Sequence, residues 1–170
     1  MSNDWIYDTE QYPNVFTITF EHAEAPVSLY FEISDWRNDS KEIIDFLSQL
    51  KNDKARLVGF NNLGWDYPIL HTLIRMGHAD AKTLYDKAQS IIQSQNDDVS
   101  KFQHFVYTSD RYVDQIDLFK IHHFDNKARA TSLKVLEFNM RSDDIQDLPF
   151  KVGTILTREQ VEKLKEYNRH

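Results

Sequence analysis

The sequence predicts an α/β domain: a mixed β-sheet, an antiparallel meander continued by parallel strands, flanked by helices. Three observations carry this expectation. Apolar and polar residues alternate with a period of two in the first third of the chain, in three runs separated by turn residues. From about residue 40, apolar residues recur at helical spacing. Short apolar runs of strand length interrupt those helical stretches, which is the pattern of alternating strands and helices.

Each element has its own signal. Trp5-Ile6-Tyr7 is a short apolar run ending at Asp8. Residues 15–20 alternate β-branched and aromatic residues, and residues 27–33 place Val27, Leu29, Phe31 and Ile33 on one face. Pro13-Asn14 and Glu24-Ala25-Pro26 supply the turns of this three-strand meander. Asp39 or Ser40 caps a helix through Ile43, Ile44, Leu47 and Leu50. A strand over residues 56–60 leads to a helix that starts near Trp65, carries Ile69, Leu70, Leu73 and Ile74, and stops at Gly77. Residues 80–94 form a further helix, residues 115–121 a strand, and Thr131 or Ser132 caps a helix through Leu133, Leu136 and Phe138. His122 and His123, as neighbours at the end of that strand, point to opposite faces and read as surface. Thr157 and Gln160 form a capping box before a last helix that runs to the end of the chain. Neither a repeat nor a linker divides the 170 residues, so one domain is expected. This order of elements is the RNase H-like arrangement.

Composition narrows the chemistry. The chain has no cysteine, which excludes disulfides and thiolate zinc sites. A metal site must then use carboxylates or histidines, and oxygen ligands select hard ions such as Mg²⁺ or Mn²⁺. No run approaches membrane-spanning length, and the N-terminus lacks a secretory pattern, so a reducing cytoplasm is the expected compartment and no membrane partner is expected. The net charge of −7 argues against non-specific duplex binding. A local basic excess (Lys120, Lys127, Arg129 and Lys134 against Asp125) reads on charge alone as a solvated loop.

Two motifs carry chemistry. In Asp8-Thr9-Glu10, strand alternation puts both carboxylates on one side, about 7 Å apart at Cα, within reach of a shared cation. Alone, the pair also suits two solvated acids at a strand end. In Asn61-Asn62-Leu63-Gly64-Trp65-Asp66 a turn leads into a helix, with Asp66 at its N-terminus. An N-cap role would account for Asp66, though not for the asparagines or Trp65 beside it. Asp117 is a further acid on a strand, expected behind the ligands rather than among them.

Together these motifs resemble the 3′–5′ proofreading exonuclease domain of family B DNA polymerases, in particular the protein-primed phage type, within the wider DEDD exonuclease superfamily. That family has an early D-x-E, matched by Asp8-Thr9-Glu10. Its N-x-x-x-D is matched by Asn62-Leu63-Gly64-Trp65-Asp66. Its Y-x-x-x-D begins at Tyr167-Asn168-Arg169-His170, where the sequence stops before the fourth carboxylate. Thr131-Ser132-Leu133-Lys134 is similar to its Ser/Thr-Leu motif, and Arg141 stands where a phosphate-contacting basic residue stands. The resemblance spans nearly the whole chain.

The resemblance implies a metal-dependent exonuclease on single-stranded DNA 3′ ends, within the host cytoplasm if the gene is phage-borne. Asp8, Glu10 and Asp66 would hold two Mg²⁺ or Mn²⁺ ions in one coordination sphere, and Tyr167 would orient the attacking water. Asn62, Trp65, Ser132 and Leu133 would hold the frayed strand, and Arg141 would meet a phosphate. The chain is expected to be the N-terminal part of a longer polymerase, partnered by that polymerase domain, and weak or inactive without the last acid. Two rival readings remain. One is a nuclease-like module that binds 3′ ends or a protein without cutting. The other is a different RNase H-like nuclease, which fold alone would not separate.

Overall fold

The structure, a computed structural model, describes residues 3–94, 102–123, 132–135 and 148–167. It is an α/β arrangement with a five-stranded mixed sheet flanked by helices. Strands β1 (Asp4–Tyr12), β2 (Val15–His22) and β3 (Ser28–Ser34) form the antiparallel meander. Helix α1 (Ser40–Asn52) leads to β4 (Arg56–Gly59), which lies parallel to β1. Helices α2 (Asp66–Met76) and α3 (Ala81–Ser94) precede β5 (Asp114–Asp117), parallel to β4. A 3-10 turn (Thr108–Asp110) precedes β5, a short α4 (Leu118–His122) follows it, and α5 (Arg158–Tyr167) comes later. The strand order is β3-β2-β1-β4-β5, with the early meander on one side and the parallel strands on the other. The mixed sheet expected from the sequence is therefore present, and its order suits the RNase H-like fold. Among the described residues no helix is long and apolar enough to cross a membrane.

Burial follows the side-chain alternation. On β1, Trp5, Tyr7 and Thr9 are buried, whereas Ile6 and Asp8 are exposed and Glu10 is half-buried. β2 lies between two strands, and its residues 15–20 are all buried. Edge-on contacts seat Phe46 of α1 on the sheet, with its ring 5.0 Å from both Trp5 and Phe20. A second apolar cluster joins Tyr12 and Val15 to Leu156, Val161 and Leu164, so that α5 closes the far end of the meander. Asn14 fastens that junction, donating to the Leu156 carbonyl and accepting from its N–H, both at 2.9 Å. The capping box forms as expected: Thr157 N–H donates to Gln160 Oε1 and Gln160 N–H to Thr157 Oγ1. Gly77 ends α2 in the left-handed conformation at φ 74°.

Three expectations need correction. β1 does not end at Asp8 but continues to Tyr12, because Thr9 to Tyr12 keep their pairing with β2. Asp39 does not cap α1 through its side chain; its carboxylate instead accepts from the Glu32 N–H. The last strand stops at Asp117 and does not run on to Ile121. The Asp117 carboxylate accepts from the Phe119 N–H and starts α4. The His122-His123 step is thus the end of a helix, not of a strand, and His123 is buried, with its ring 4.1 Å from Phe119.

Asp117 also organises the chain beside it. Its Oδ1 accepts from Asn61 N–H at 2.9 Å and its Oδ2 from Leu63 N–H at 3.3 Å. One buried carboxylate therefore holds three backbone donors, two in the turn after β4 and one in α4. Removing it strands those donors, and each buried donor left unpaired costs about 1–3 kcal/mol. Asp117→Ala is expected to lower unfolding stability in urea by at least about 2 kcal/mol, with Asp117→Asn losing less because one acceptor oxygen remains.

Candidate active site

The candidate site opens where β4 leaves β1. The two strands pair through Ile6 and Val58, and β4 ends at Gly59. From Tyr7 onward, the β4 side of β1 faces the turn 60–65 and the start of α2. This is the kind of crevice, at the carboxyl end of a parallel pair, where α/β sheets bind ligands. A Cβ at Gly59 would lie 2.8 Å from Asn62 Cβ, so the turn can fold this closely over the strand only with glycine there. Asn61 adopts a left-handed φ of 58° to make the bend. The Asn62 carbonyl then accepts from Tyr67 N–H at 2.8 Å, which satisfies one of the free donors at the start of α2.

The resulting pocket has a volume of about 540 Å³. Asp8 and Glu10 enter from β1 and Asp66 from the first residue of α2. Phe60, Trp65 and Phe119 supply aromatic walls, with Phe60 and Phe119 edge-to-face at 5.5 Å. Ser132 and Leu133 close another side. Among the described residues that line it there are three acids and no base.

That imbalance sets the electrostatics. Burial pushes the Glu10 carboxyl up to about 9, with Asp8 and then Asp66 adding like-charge repulsion. Burial, followed by Asp8, holds the Asp66 carboxyl well above the usual carboxylate range, against the lowering effect of the Thr9 hydroxyl. Asp8 is pushed up to about 6 by loss of water, opposed by the Thr9 backbone N–H. Asp8 is the most exposed of the three, Glu10 is half-buried and Asp66 is buried. The all-oxygen donor set suits a hard divalent cation. No group of three His, Asp or Glu side chains among the described residues is gathered closely enough to hold an ion. Asp66 is also tied to the Thr9 hydroxyl, which donates to its Oδ1.

Of the residues singled out in the sequence, Asp8, Glu10, Asp66, Trp65, Ser132 and Leu133 line this one pocket. Asp66 is not a side-chain N-cap; it is the first helical residue, after Trp65. Asn62 is not in the pocket. It is fully buried and donates to Gln115 Oε1 at 3.0 Å, while its own Oδ1 has no partner. Its neighbour Asn61 takes the exposed place in the lining. Tyr167 is also absent from the lining, and packs instead on the cluster of Tyr12 and Leu164. It reaches the acids only at one remove: burial, then Glu10 and Tyr167, push the Tyr12 phenol up to about 12. Arg141 lies outside the described residues, as do Lys127 and Arg129. Thr9, Phe60, Asn61 and Phe119 were not foreseen. Only Asn61 carried a signal, as the neighbour of Asn62, and the N-x-x-x-D spacing itself selects Asn62.

No family model, curated protein or solved structure matches this chain.

Glu10 fixes the sign of a pH effect. Its folded value of about 9 lies above its ordinary one, so the folded chain holds a proton that the unfolded chain releases. That contribution to stability is complete below the ordinary carboxylate range and is lost as the pH rises toward about 9. In chelator, the thermal midpoint is expected to fall between about pH 7 and about pH 9, and Glu10→Gln should flatten that fall.

Proposed function

We propose that this chain is a metal-dependent 3′–5′ exonuclease domain that acts on the 3′ ends of single-stranded DNA, as the proofreading part of a DNA polymerase. The observation that carries the reading is the meeting of Asp8, Glu10 and Asp66, from two separate elements, in one open pocket with aromatic walls and, among the described residues, no basic lining residue. An anionic substrate would be repelled from such a pocket unless cations balanced it. Asp8, Glu10 and Asp66 would hold Mg²⁺ or Mn²⁺, which when bound supplies an activated water and charge stabilisation for an in-line displacement.

The protein's own groups supply the rest. Trp65 and Phe119 offer faces on which a terminal base stacks without regard to sequence. Ser132 and Leu133, also in the lining, flank the strand, and Asn61 takes the polar contact expected of Asn62. Thr9 holds the Asp66 carboxylate in place. Tyr167 acts through Tyr12 and is a positioning residue here. The rival reading, a module that grips a 3′ end without cutting, draws on one observation: the three acids are not gathered into a ready-made site.

One assay separates the two. The chain is tested alone and with a helical extension that places Asp four residues after Tyr167. Mn²⁺-dependent release of mononucleotides from a single-stranded 3′ end is expected from at least one form. Asp8→Ala and Asp66→Ala should each reduce it by more than about a hundredfold, beyond the loss typical of outer partners of a metal site. Binding without release by either form would favour the gripping module.

A further inference from the structure

Behind the turn that carries Asn61 lies a second cavity, of about 210 Å³. Asn61, Pro68, Ile91, Ser94, His104 and Phe105 are among its lining residues. Asn61 lines both this cavity and the acidic pocket, so the two are neighbours across a single residue. Lys87 of α3 stands beside it, half-buried, with Nζ 2.7 Å from His104 Nδ1. Burial depresses its pKa, and among the described residues no carboxylate pairs with it. A half-buried ammonium without an acid is unusual in a chain of net charge −7. It costs desolvation that an incoming anion would offset.

The rim is aromatic and cationic. Phe105 and Tyr107 meet edge-to-face at 5.3 Å, and Tyr107 is 62% exposed. Lys120 Nζ lies 5.1 Å above the Phe105 ring, and Lys120 directly follows Phe119, a wall of the acidic pocket. Aromatic faces interleaved with lysines are what a single strand of nucleic acid requires: a stacking platform for bases and cations for the backbone.

We propose that this second cavity and its Phe105–Tyr107 rim hold the nucleotide next to the 3′-terminal one, with its base against Phe105 and its phosphates at Lys87 and Lys120. The cavity would then set how the strand is threaded across the Asn61 turn. This rests on the exonuclease reading of the first pocket.

The test uses the full chain with Mn²⁺ present, on a strand whose 3′-terminal linkages are made non-hydrolysable so that it is not cut. The probe is a short oligodeoxythymidylate with 2-aminopurine second from the 3′ end. Stacking should change its fluorescence on binding, and Phe105→Ala should abolish that change while Phe105→Tyr retains it. Phe105→Ala and Lys87→Met should each weaken binding by about tenfold, within the range for one stacked base. The exposed Lys120→Gln, which does not threaten the fold, should make the slope of log affinity against log salt shallower by about 0.7. If the oligonucleotide binds with unchanged affinity, fluorescence and salt slope in these variants, the strand runs elsewhere and the proposal is overturned while the first pocket stands. If the probe does not bind at all, both readings fall.

Discussion

β1 pairs with β4 only as far as Ile6, and then runs on to Tyr12 with β2 alone as its partner. The candidate site exists because of that mismatch in strand length. Strand alternation sends Asp8 and Glu10 toward the gap and keeps Tyr7 in the core, while the buried Thr9 also reaches the pocket and donates to Asp66. The gap is too polar to be filled by apolar packing, and the turn after β4 brings a third acid to it. Like charges are thus confined there, and among the described residues that line the pocket none is a base that would balance them. A stable fold and a receptive site make opposite demands on the same three side chains.

The turn 60–65 meets these demands through buried polar contacts that do not themselves face the pocket. Asp117 holds it from β5, and Asn62 and the Tyr7 hydroxyl both donate to Gln115 Oε1. Gly64 belongs to the same design, since a Cβ there would come 2.7 Å from Asn61 Oδ1. Asn62 is therefore a hydrogen-bonded core residue, and its unpaired Oδ1 is a cost that the turn carries. Phe119 and Asn61, on different elements, keep their places in the pocket wall because the same carboxylate binds the backbone of both.

Local signals made most of the fold legible. The alternation of β2 and β3, the helical spacing of Leu47 and Leu50, Gly77 after α2 and the Thr157–Gln160 box each act within a few residues, and each produced its element. The departures came where a distant partner decides. Thr9 to Tyr12 look too polar to extend β1, and only pairing with β2 holds them in the strand. Gln115-Ile116-Asp117-Leu118 alternates like a strand, yet the Asp117 carboxylate turns back on the backbone and begins a helix. In the site, the acids were legible because D-x-E on a strand fixes their side. The choice between Asn61 and Asn62 was not, because it depends on a left-handed backbone angle at Asn61 and on Gln115, more than fifty residues away.

The central claim is that Asp8, Glu10 and Asp66 form a pocket whose charge is completed by a divalent cation. If so, the ion must displace protons held there in its absence. Calorimetric titration with Mn²⁺ near neutral pH, in two buffers of different ionisation enthalpy, measures that displacement directly. The account predicts binding accompanied by net proton release, with the release reduced in Glu10→Gln. No binding, or binding with no protons released, would contradict it.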